Sequence, residues 1–193
     1  MKILAINGSP RKDGNTAVLL NRVLDTLKAK GFETELVQLC GEQIRGCRAC
    51  GICKKLQNKK CVYAQDIFNE IFSKMLDADA IVVGSPTYFA NMTSEIKAIL
   101  DRAGIVNRAN GGLLKGKVGA AVVAQRRAGA DFTWLSMNTM FLMSGMFVPG
   151  ASYMNIGFGS DKGAVAEDAE AMRTMDDLAE NIAILLNALN KAK

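Results

Sequence analysis

Residues Lys2–Thr16 read KILAINGSPRKDGNT and are the most informative part of the chain. The apolar run Lys2–Asn7 predicts a buried strand, which Gly8 and Pro10 end in a turn. Residues 14–16 then lead into the apolar pattern of a helix. A strand, a tight polar turn and a helix N-terminus predict an anion site, because free backbone N–H groups and the positive end of the helix dipole face the ligand.

Four side chains in this turn, the phosphate loop (residues 8–16), favour a phosphate as the anion. Ser9, Asn15 and Thr16 are short donors, and Arg11 adds a guanidinium fork. The nucleoside-triphosphate loop G-x-x-x-x-G-K-[ST] is absent, since asparagine and not lysine follows Gly14. The dinucleotide fingerprint G-x-G-x-x-G is also missing. An ordinary strand-to-helix turn is the alternative, although a helix cap needs neither an arginine nor three donors.

Length and composition narrow the class of protein. The 193 residues predict a single domain, 1–193, and 49% hydrophobic with 22% charged residues is ordinary for a soluble globular protein. No apolar run reaches membrane-spanning length, and the early first strand leaves no room for a signal peptide. Five cysteines without an export signal therefore predict a cytoplasmic location.

Charge and histidine content exclude other classes. The net charge of +5 suits anionic ligands or acidic partners and is too diffuse to indicate nucleic acid. The chain has no histidine, which excludes Ser-His-Asp and Cys-His hydrolases and zincins.

Apolar periodicity along the chain predicts alternating strands and helices. The strands are expected at 2–7, 33–39, 80–84, 118–124 and 153–156. The helices are expected at 17–30, around 67–75, around 96–100, at 132–146 and at 167–193. This alternation predicts an α/β fold, a flavodoxin-like doubly wound five-stranded parallel sheet of order 2-1-3-4-5. The loops after residues 7, 84 and 124 then share the ligand-binding edge.

The segment Gly84–Ser94 reads GSPTYFANMTS and is the second informative feature. Pro86 stiffens it, Tyr88 and Phe89 offer flat apolar surface, and Thr87 and Asn91 offer polar tips. These groups suit a planar heterocycle with hydrogen-bonding edges. A loop whose aromatic rings merely cover the sheet edge is the alternative. Together with the phosphate loop, the segment predicts a phosphate-tailed planar ligand, FMN.

Three stretches resemble the NADPH-dependent FMN reductase branch of flavodoxin-like proteins: GSPRKDGNT at 8–16, GSPTYFANMTSEIKAILDR at 84–102 and Gln125–Gly129. The resemblance covers essentially the whole chain. It implies that Ser9, Arg11, Asn15 and Thr16 hold the FMN phosphate and that Pro86, Thr87, Tyr88, Phe89 and Asn91 line the isoalloxazine. It also implies that Arg127 and Gly129 approach the pyrimidine end, where a cation stabilises the reduced flavin. A solvated Arg126–Arg127 pair is the alternative.

The cysteine loop (residues 40–64) carries the pattern C-x2-C-x2-C-x7-C at Cys47, Cys50, Cys53 and Cys61, with Cys40 outside it. Such closely spaced thiolates are typical of a 4Fe–4S cluster, whereas structural zinc more often uses two separated C-x2-C pairs. The arrangement resembles the iron–sulfur flavoproteins. The last spacing is long, however, and related cluster-free reductases carry partial versions, so free or redox-active thiols are the alternative. Six cations surround the set: Arg45, Arg48, Lys54, Lys55, Lys59 and Lys60.

We therefore expect an FMN oxidoreductase of the iron–sulfur flavoprotein type. It would relay electrons from a ferredoxin-like donor through a 4Fe–4S cluster to FMN and a small-molecule acceptor. A cluster-free NAD(P)H-dependent FMN or quinone reductase is the second hypothesis, and a flavodoxin-like electron carrier is the third. A homodimer or homotetramer is expected, without nucleic-acid or membrane partners. Trp134 is interpreted as core or as a lip over the flavin, and Asp101–Arg102 as a pair on a helix surface.

Overall fold

The computed structural model describes residues 1–192 and contains one five-stranded parallel sheet of order β2-β1-β3-β4-β5. Its strands are β1 (Lys2–Asn7), β2 (Glu33–Gln38), β3 (Ala80–Pro86), β4 (Val118–Gln125) and β5 (Ile156–Phe158). The predicted flavodoxin-like order is therefore confirmed. The central strands β1, β3 and β4 are buried along almost their whole length, as expected for a sheet that is covered on both faces.

Six α-helices lie within residues 1–192, and all but the short second helix cover the two faces of the sheet. They are α1 (Asn15–Ala29), α2 (Ile52–Leu56), α3 (Phe68–Asp77), α4 (Ser94–Ala109), α5 (Ala130–Met143) and α6 (Ala169–Lys191). Alternate strand residues feed two cores, as the two-residue period requires. Ile3 and Ala5 pack with α1 and α6, whereas Leu4 and Ile6 pack with α3, α4 and α5.

The edge strand differs from its predicted position. The sequence predicted it at 153–156, but β5 spans Ile156–Phe158, because its ladder to β4 begins where Val123 pairs with Ile156. Tyr153 lies before the ladder and is exposed. An edge strand of three residues carries too little apolar pattern to fix its own register, so pairing with β4 sets it.

Two helix boundaries also moved for local reasons. Helix α5 begins at Ala130, whose backbone N–H donates to Gln125 Oε1 at 3.0 Å, and it ends before Gly145, which has a φ of 71°. Helix α6 begins at Ala169, because the side chain of Asp168 accepts the N–H of Ala171 and caps its first turn. Within residues 1–192, no helix is long and apolar enough to span a bilayer.

Candidate flavin and cysteine sites

Three loops meet at the carboxyl edge of the sheet. They are the phosphate loop after β1, the aromatic loop (residues 87–93) after β3, and residues 126–129 after β4. The backbone N–H of Gly8 donates to Gly84 O at 2.8 Å, and Thr93 Oγ1 donates to Gly8 O at 2.9 Å. A Cβ on Gly84 would lie 2.6 Å from Leu20 Cδ1, so this close approach of β3 to α1 requires glycine. The predicted site is therefore assembled on one edge.

The phosphate loop is held by short-range hydrogen bonds. Ser9 is buried, its N–H donates to Asn7 Oδ1 at 3.0 Å, and its Oγ accepts the N–H of Arg11 at 3.1 Å. No side chain caps the first turn of α1. Thr16 Oγ1 is buried without a hydrogen-bond partner. An uncapped helix start beside an unpartnered buried hydroxyl fits an anion that would satisfy both.

Asn15 has a further role that the sequence did not predict. Its Nδ2 donates to Gly159 O at 2.9 Å, and its Oδ1 accepts the N–H of Val165 at 3.3 Å. The amide thus ties α1 to the segment after β5. Arg11, in contrast, has an exposed side chain. Asn15 stays a predicted phosphate ligand, and in that role its amide would exchange one of these bonds for the phosphate.

The tip of the aromatic loop is a tight turn. Tyr88 and Asn91 exchange two backbone hydrogen bonds, of 2.8 and 3.1 Å. The central residues, Phe89 and Ala90, have φ values of 47° and 59°, which side-chain-bearing residues adopt at a cost of about 1–2 kcal/mol each. Phe89 is fully exposed and Tyr88 is about half exposed. The turn therefore presents two aromatic rings outward, next to the half-buried Pro86.

The third loop packs against this turn. Gly129 has a φ of 90°, and a Cβ there would lie 2.9 Å from Ala90 Cα, so two requirements favour glycine. Arg126 and Arg127 are both exposed. Arg127 and Gly129 line a cavity of about 360 Å³ that extends towards β5. The structure brings Gly129 against Ala90 of the aromatic loop.

Trp134 was interpreted as a core residue or as a lip over the flavin, and the structure places it against the core. It is half-buried and packs against the core formed by α3, α4 and α5. Its indole Nε1 is buried without a hydrogen-bond partner.

The four predicted cluster cysteines line one cavity of about 340 Å³. Cys53 is buried, Cys61 is half-buried, and Cys47 and Cys50 are exposed. Cys47 Sγ accepts the backbone N–H of Ala49 at 3.4 Å. The thiols are free and have not converged. In the part of the chain that the structure describes, no three His, Cys, Asp or Glu side chains are placed to hold a metal ion.

Cys40 lies apart from this cavity, as the spacing predicted. Its thiol donates to Pro10 O at 2.9 Å, beside the phosphate loop. Cys40 therefore contacts the phosphate loop, whereas the four cysteines of the pattern line the cavity.

The interpretation of Arg102 as a surface residue was wrong. Its side chain is 1% exposed and pairs with Asp66 Oδ2 at 2.5 Å. It also donates to the backbone oxygens of Arg45 and Tyr63, at 3.1 and 2.9 Å. A signal was present in the sequence, since Arg102 lies three residues after the buried Ile99 on the inner stripe of α4.

Asp66 is charged in this environment. Burial alone would raise the pKa of its carboxyl group. Hydrogen bonds from Arg102 and from the backbone N–H groups of Arg45 and Phe68 outweigh burial and lower the pKa below the ordinary value. The pair is consequently ionic, with both side chains almost fully buried.

Comparison with known proteins decides the family. Residues 1–161 match the family described as NADPH-dependent FMN reductase. The chain belongs to this family. It is 33% identical over 198 residues to an iron–sulfur flavoprotein of Methanocaldococcus jannaschii, covering 99% of this chain and 100% of that protein. It is 36% identical over 194 residues to an iron–sulfur flavoprotein of Methanosarcina thermophila, covering 99% and 98%.

A solved structure confirms the fold of the family member. RosB, determined with bound 8-demethyl-8-formylriboflavin-5'-phosphate, superposes with a TM-score of 0.77 at 18% identity, covering 99% of this chain and 81% of RosB. The family and the curated relatives confirm a flavin-dependent oxidoreductase that uses FMN, in the iron–sulfur flavoprotein branch. The cluster, its electron donor and the acceptor go beyond these findings.

Proposed function

We propose that this FMN reductase family member relays electrons from an acidic, ferredoxin-like protein to FMN through a 4Fe–4S cluster, and from FMN to a small acceptor. The observation that carries the proposal is the single cavity shared by Cys47, Cys50, Cys53 and Cys61. When bound, the cluster supplies one-electron transfer and FMN supplies two-electron transfer. The residues of the chain bind and orient these groups.

The phosphate of FMN would lie at the start of α1. There it would accept the uncapped backbone N–H groups and the unpartnered Thr16 hydroxyl, next to Ser9. Arg11 is exposed and free to fold over a phosphate as a charge-assisted donor. Asn15 lies in the same loop and would bind the phosphate once its amide releases the hydrogen bond to Gly159 or to Val165.

The isoalloxazine would lie on the aromatic loop. Pro86, Thr87, Tyr88, Phe89 and Asn91 supply its wall, and the exposed rings of Tyr88 and Phe89 supply the flat apolar surface. Arg127 and Gly129, in the adjoining loop, would face the pyrimidine end. An arginine there favours the negative charge that reduction brings.

The cysteine cavity fits a thiolate-bound cluster by its donor set. Four cysteines line it and, among the described residues, no carboxylate does. The same loop carries six exposed lysines and arginines: Arg45, Arg48, Lys54, Lys55, Lys59 and Lys60. Those cations offset the negative charge of four thiolates. The thiols would have to converge on binding, and the Cys47–Ala49 hydrogen bond is one that a bound thiolate retains.

The same surface supports an acidic protein donor. Val62 and Ile105 line the cavity and are half exposed, and Leu56 is an exposed apolar residue of the same loop as the six cations. An apolar centre with a charged rim is typical of protein–protein contacts. Electrostatic steering predicts that reduction by such a donor slows as the salt concentration rises.

A homo-oligomer is the other partner that we propose. Phe132, Leu135, Leu142 and Met143 on α5 are all more than half exposed, and Tyr88 and Phe89 add to the apolar surface. Light scattering at micromolar concentration should give a dimer or tetramer mass, and a monomer mass would contradict this expectation.

One observation favours a second candidate function. The matching family is described as NADPH-dependent FMN reductase, and a cluster-free NAD(P)H-dependent FMN or quinone reductase would use the same FMN loops. In that case the cysteines are free thiols.

Anaerobic flavin reduction separates the two candidates. We expect a reduced ferredoxin to bleach the FMN absorbance, and Cys→Ser changes at 47, 50, 53 or 61 to abolish this reduction while FMN stays bound. Cys40→Ser is the matched control and should leave the rate unchanged. Rapid bleaching by NAD(P)H in iron-free protein, retained in all the variants, would instead establish the simple reductase.

A further inference from the structure

Arg102 forms part of the wall of the cysteine cavity. The cavity is lined by Arg102 together with all four cysteines of the pattern, and the side chain is almost completely withdrawn from solvent. Its partner Asp66 is not among the lining residues within 1–192. Of the two partners of the ion pair, Arg102 is therefore the one that lines the cavity with the thiols.

The same guanidinium fastens both ends of the cysteine pattern. Nη1 donates to the backbone oxygen of Arg45, two residues before Cys47, and Nη2 donates to that of Tyr63, two residues after Cys61. The rings of Phe68 and Tyr63 flank it, with centroids 4.0 and 5.6 Å from Cζ. One side chain thus closes the segment that contains every thiol of the cavity.

Helix α4 links this closure to the flavin edge. Its N-cap Thr93 donates from Oγ1 to Gly8 O in the phosphate loop, and its Oγ1 also accepts the N–H of Ile96. Arg102 lies on the same helix, a little more than two turns later. Helix α4 therefore anchors both the cysteine loop and the phosphate loop, and it fixes their positions relative to each other.

We propose that Arg102 and Asp66 act as a positioning pair: the guanidinium closes the cysteine loop and presents a positive charge that raises the reduction potential of a thiolate-bound cluster. The electrostatic half rests on the proposed function. Reduction adds one electron to the cavity, and a buried cation on its wall stabilises that added negative charge. The anchoring half concerns only the polypeptide and holds without a cluster.

The pair offers a test that depends on sign. Arg102→Gln leaves the negative Asp66 near the cavity, whereas Asp66→Asn leaves the positive Arg102 there. The midpoint potential of the cluster should therefore fall in Arg102→Gln and rise in Asp66→Asn. A purely structural role does not depend on the sign of the charge that is removed, so both substitutions would then shift the midpoint potential in the same direction.

The first experiment is a redox titration of anaerobically purified protein that is monitored by electron paramagnetic resonance. We expect shifts of opposite sign in the two variants, each at least about tenfold in the equilibrium constant, which is about 59 mV for a one-electron couple. The double variant should lie near the wild type, and Arg108→Gln, an exposed arginine on the same helix, should not shift the potential. Shifts of the same sign, or none, would overturn the electrostatic half.

The second experiment measures hydrogen exchange in iron-free protein. Backbone amides between residues 45 and 63 should exchange at least about tenfold faster in Arg102→Gln, and Arg102→Lys should keep the potential but not the slow exchange. Unchanged exchange would overturn the anchoring half. If Arg102→Gln does not fold, the double variant, which has no unpaired buried charge, takes its place in the same comparison.

These experiments separate the inference from the proposed function. Wild-type protein that lacks iron and acid-labile sulfide would contradict the cluster and, with it, the electrostatic half. The exchange measurement would still decide the anchoring, because it is made without iron.

Discussion

The phosphate loop and the cysteine loop are held in place by different kinds of contact. In the phosphate loop, Ser9 bonds Asn7 and Arg11 within one turn, and further hydrogen bonds join Gly8 to the end of β3 and to the N-cap of α4. In the cysteine loop, one side chain ties both ends of the cysteine pattern: Arg102, which lies 57 residues from Arg45 and 36 from Asp66. The first loop is fixed by its own turns and by the sheet edge on which it lies, whereas the second depends on one buried ion pair.

Backbone conformation follows the same division. Ala49, Gln57 and Lys59 in the cysteine loop have φ values of 52°, 47° and 61°, which cost about 1–2 kcal/mol each for residues with side chains. The described non-glycine residues of the phosphate loop have no positive φ. A loop that stores such cost persists only when its surroundings fix it. Arg102 bonds both ends of the cysteine pattern, and Asn110 Oδ1 accepts the N–H of Lys59 at 2.9 Å.

Loss of the Arg102–Asp66 ion pair should have the strongest consequence. Arg102→Gln leaves Asp66 as an unpaired buried carboxylate and should lower the free energy of unfolding by about 3–5 kcal/mol, as measured by urea denaturation. Arg108→Gln on the exposed face should change it by less than about 0.5 kcal/mol. Equal effects of the two substitutions would show that the cysteine loop does not depend on Arg102.

The phosphate loop should respond through ligand binding instead. Arg11→Ala should weaken FMN binding by about 1–3 kcal/mol, because a charge-assisted bond to the phosphate is lost, and leave the stability of the flavin-free protein nearly unchanged. Thr16→Val should weaken binding by about 1 kcal/mol for the same reason. Isothermal titration with FMN measures both. Asn15→Ala should in addition destabilise the flavin-free protein, since its amide holds Gly159 and Val165.

A matched control for this loop is Lys12→Ala, which removes a neighbouring exposed cation. It should leave FMN binding within about 0.5 kcal/mol of the wild type. A loss equal to that of Arg11→Ala would mean that the loop attracts phosphate by general charge and not through the Arg11 fork.

The same contrast explains which features of the structure could be predicted from the sequence. The strand order, the carboxyl-edge loops and the four-cysteine cavity were predictable, since apolar periodicity and close spacing are local signals. The Arg102–Asp66 pair was not, because nothing near either residue indicates the other. The second role of Asn15 was missed for the same reason, as its partners lie 144 and 150 residues away.

A smaller effect concerns acid stability. The pKa of Asp66 is lowered below its ordinary 3.8 in the folded protein, so its contribution to stability is present above that value. The contribution is lost as the pH falls from 3.8 through the lower folded value, because the unfolded chain takes up the proton first. The free energy of unfolding should thus fall over this window in wild-type protein, and Asp66→Asn should flatten the decline. An equal decline in both proteins would assign the acid sensitivity to other carboxylates.

The iron, acid-labile sulfide and FMN content of anaerobically purified protein shows whether the cysteine loop binds a cluster. We expect about four iron, about four sulfide and about one FMN per chain. A Cys→Ser change at 47, 50, 53 or 61 should remove the iron and sulfide and leave the FMN, whereas Cys40→Ser should leave all three. Wild-type protein that carries FMN but no sulfide would contradict cluster binding by this loop.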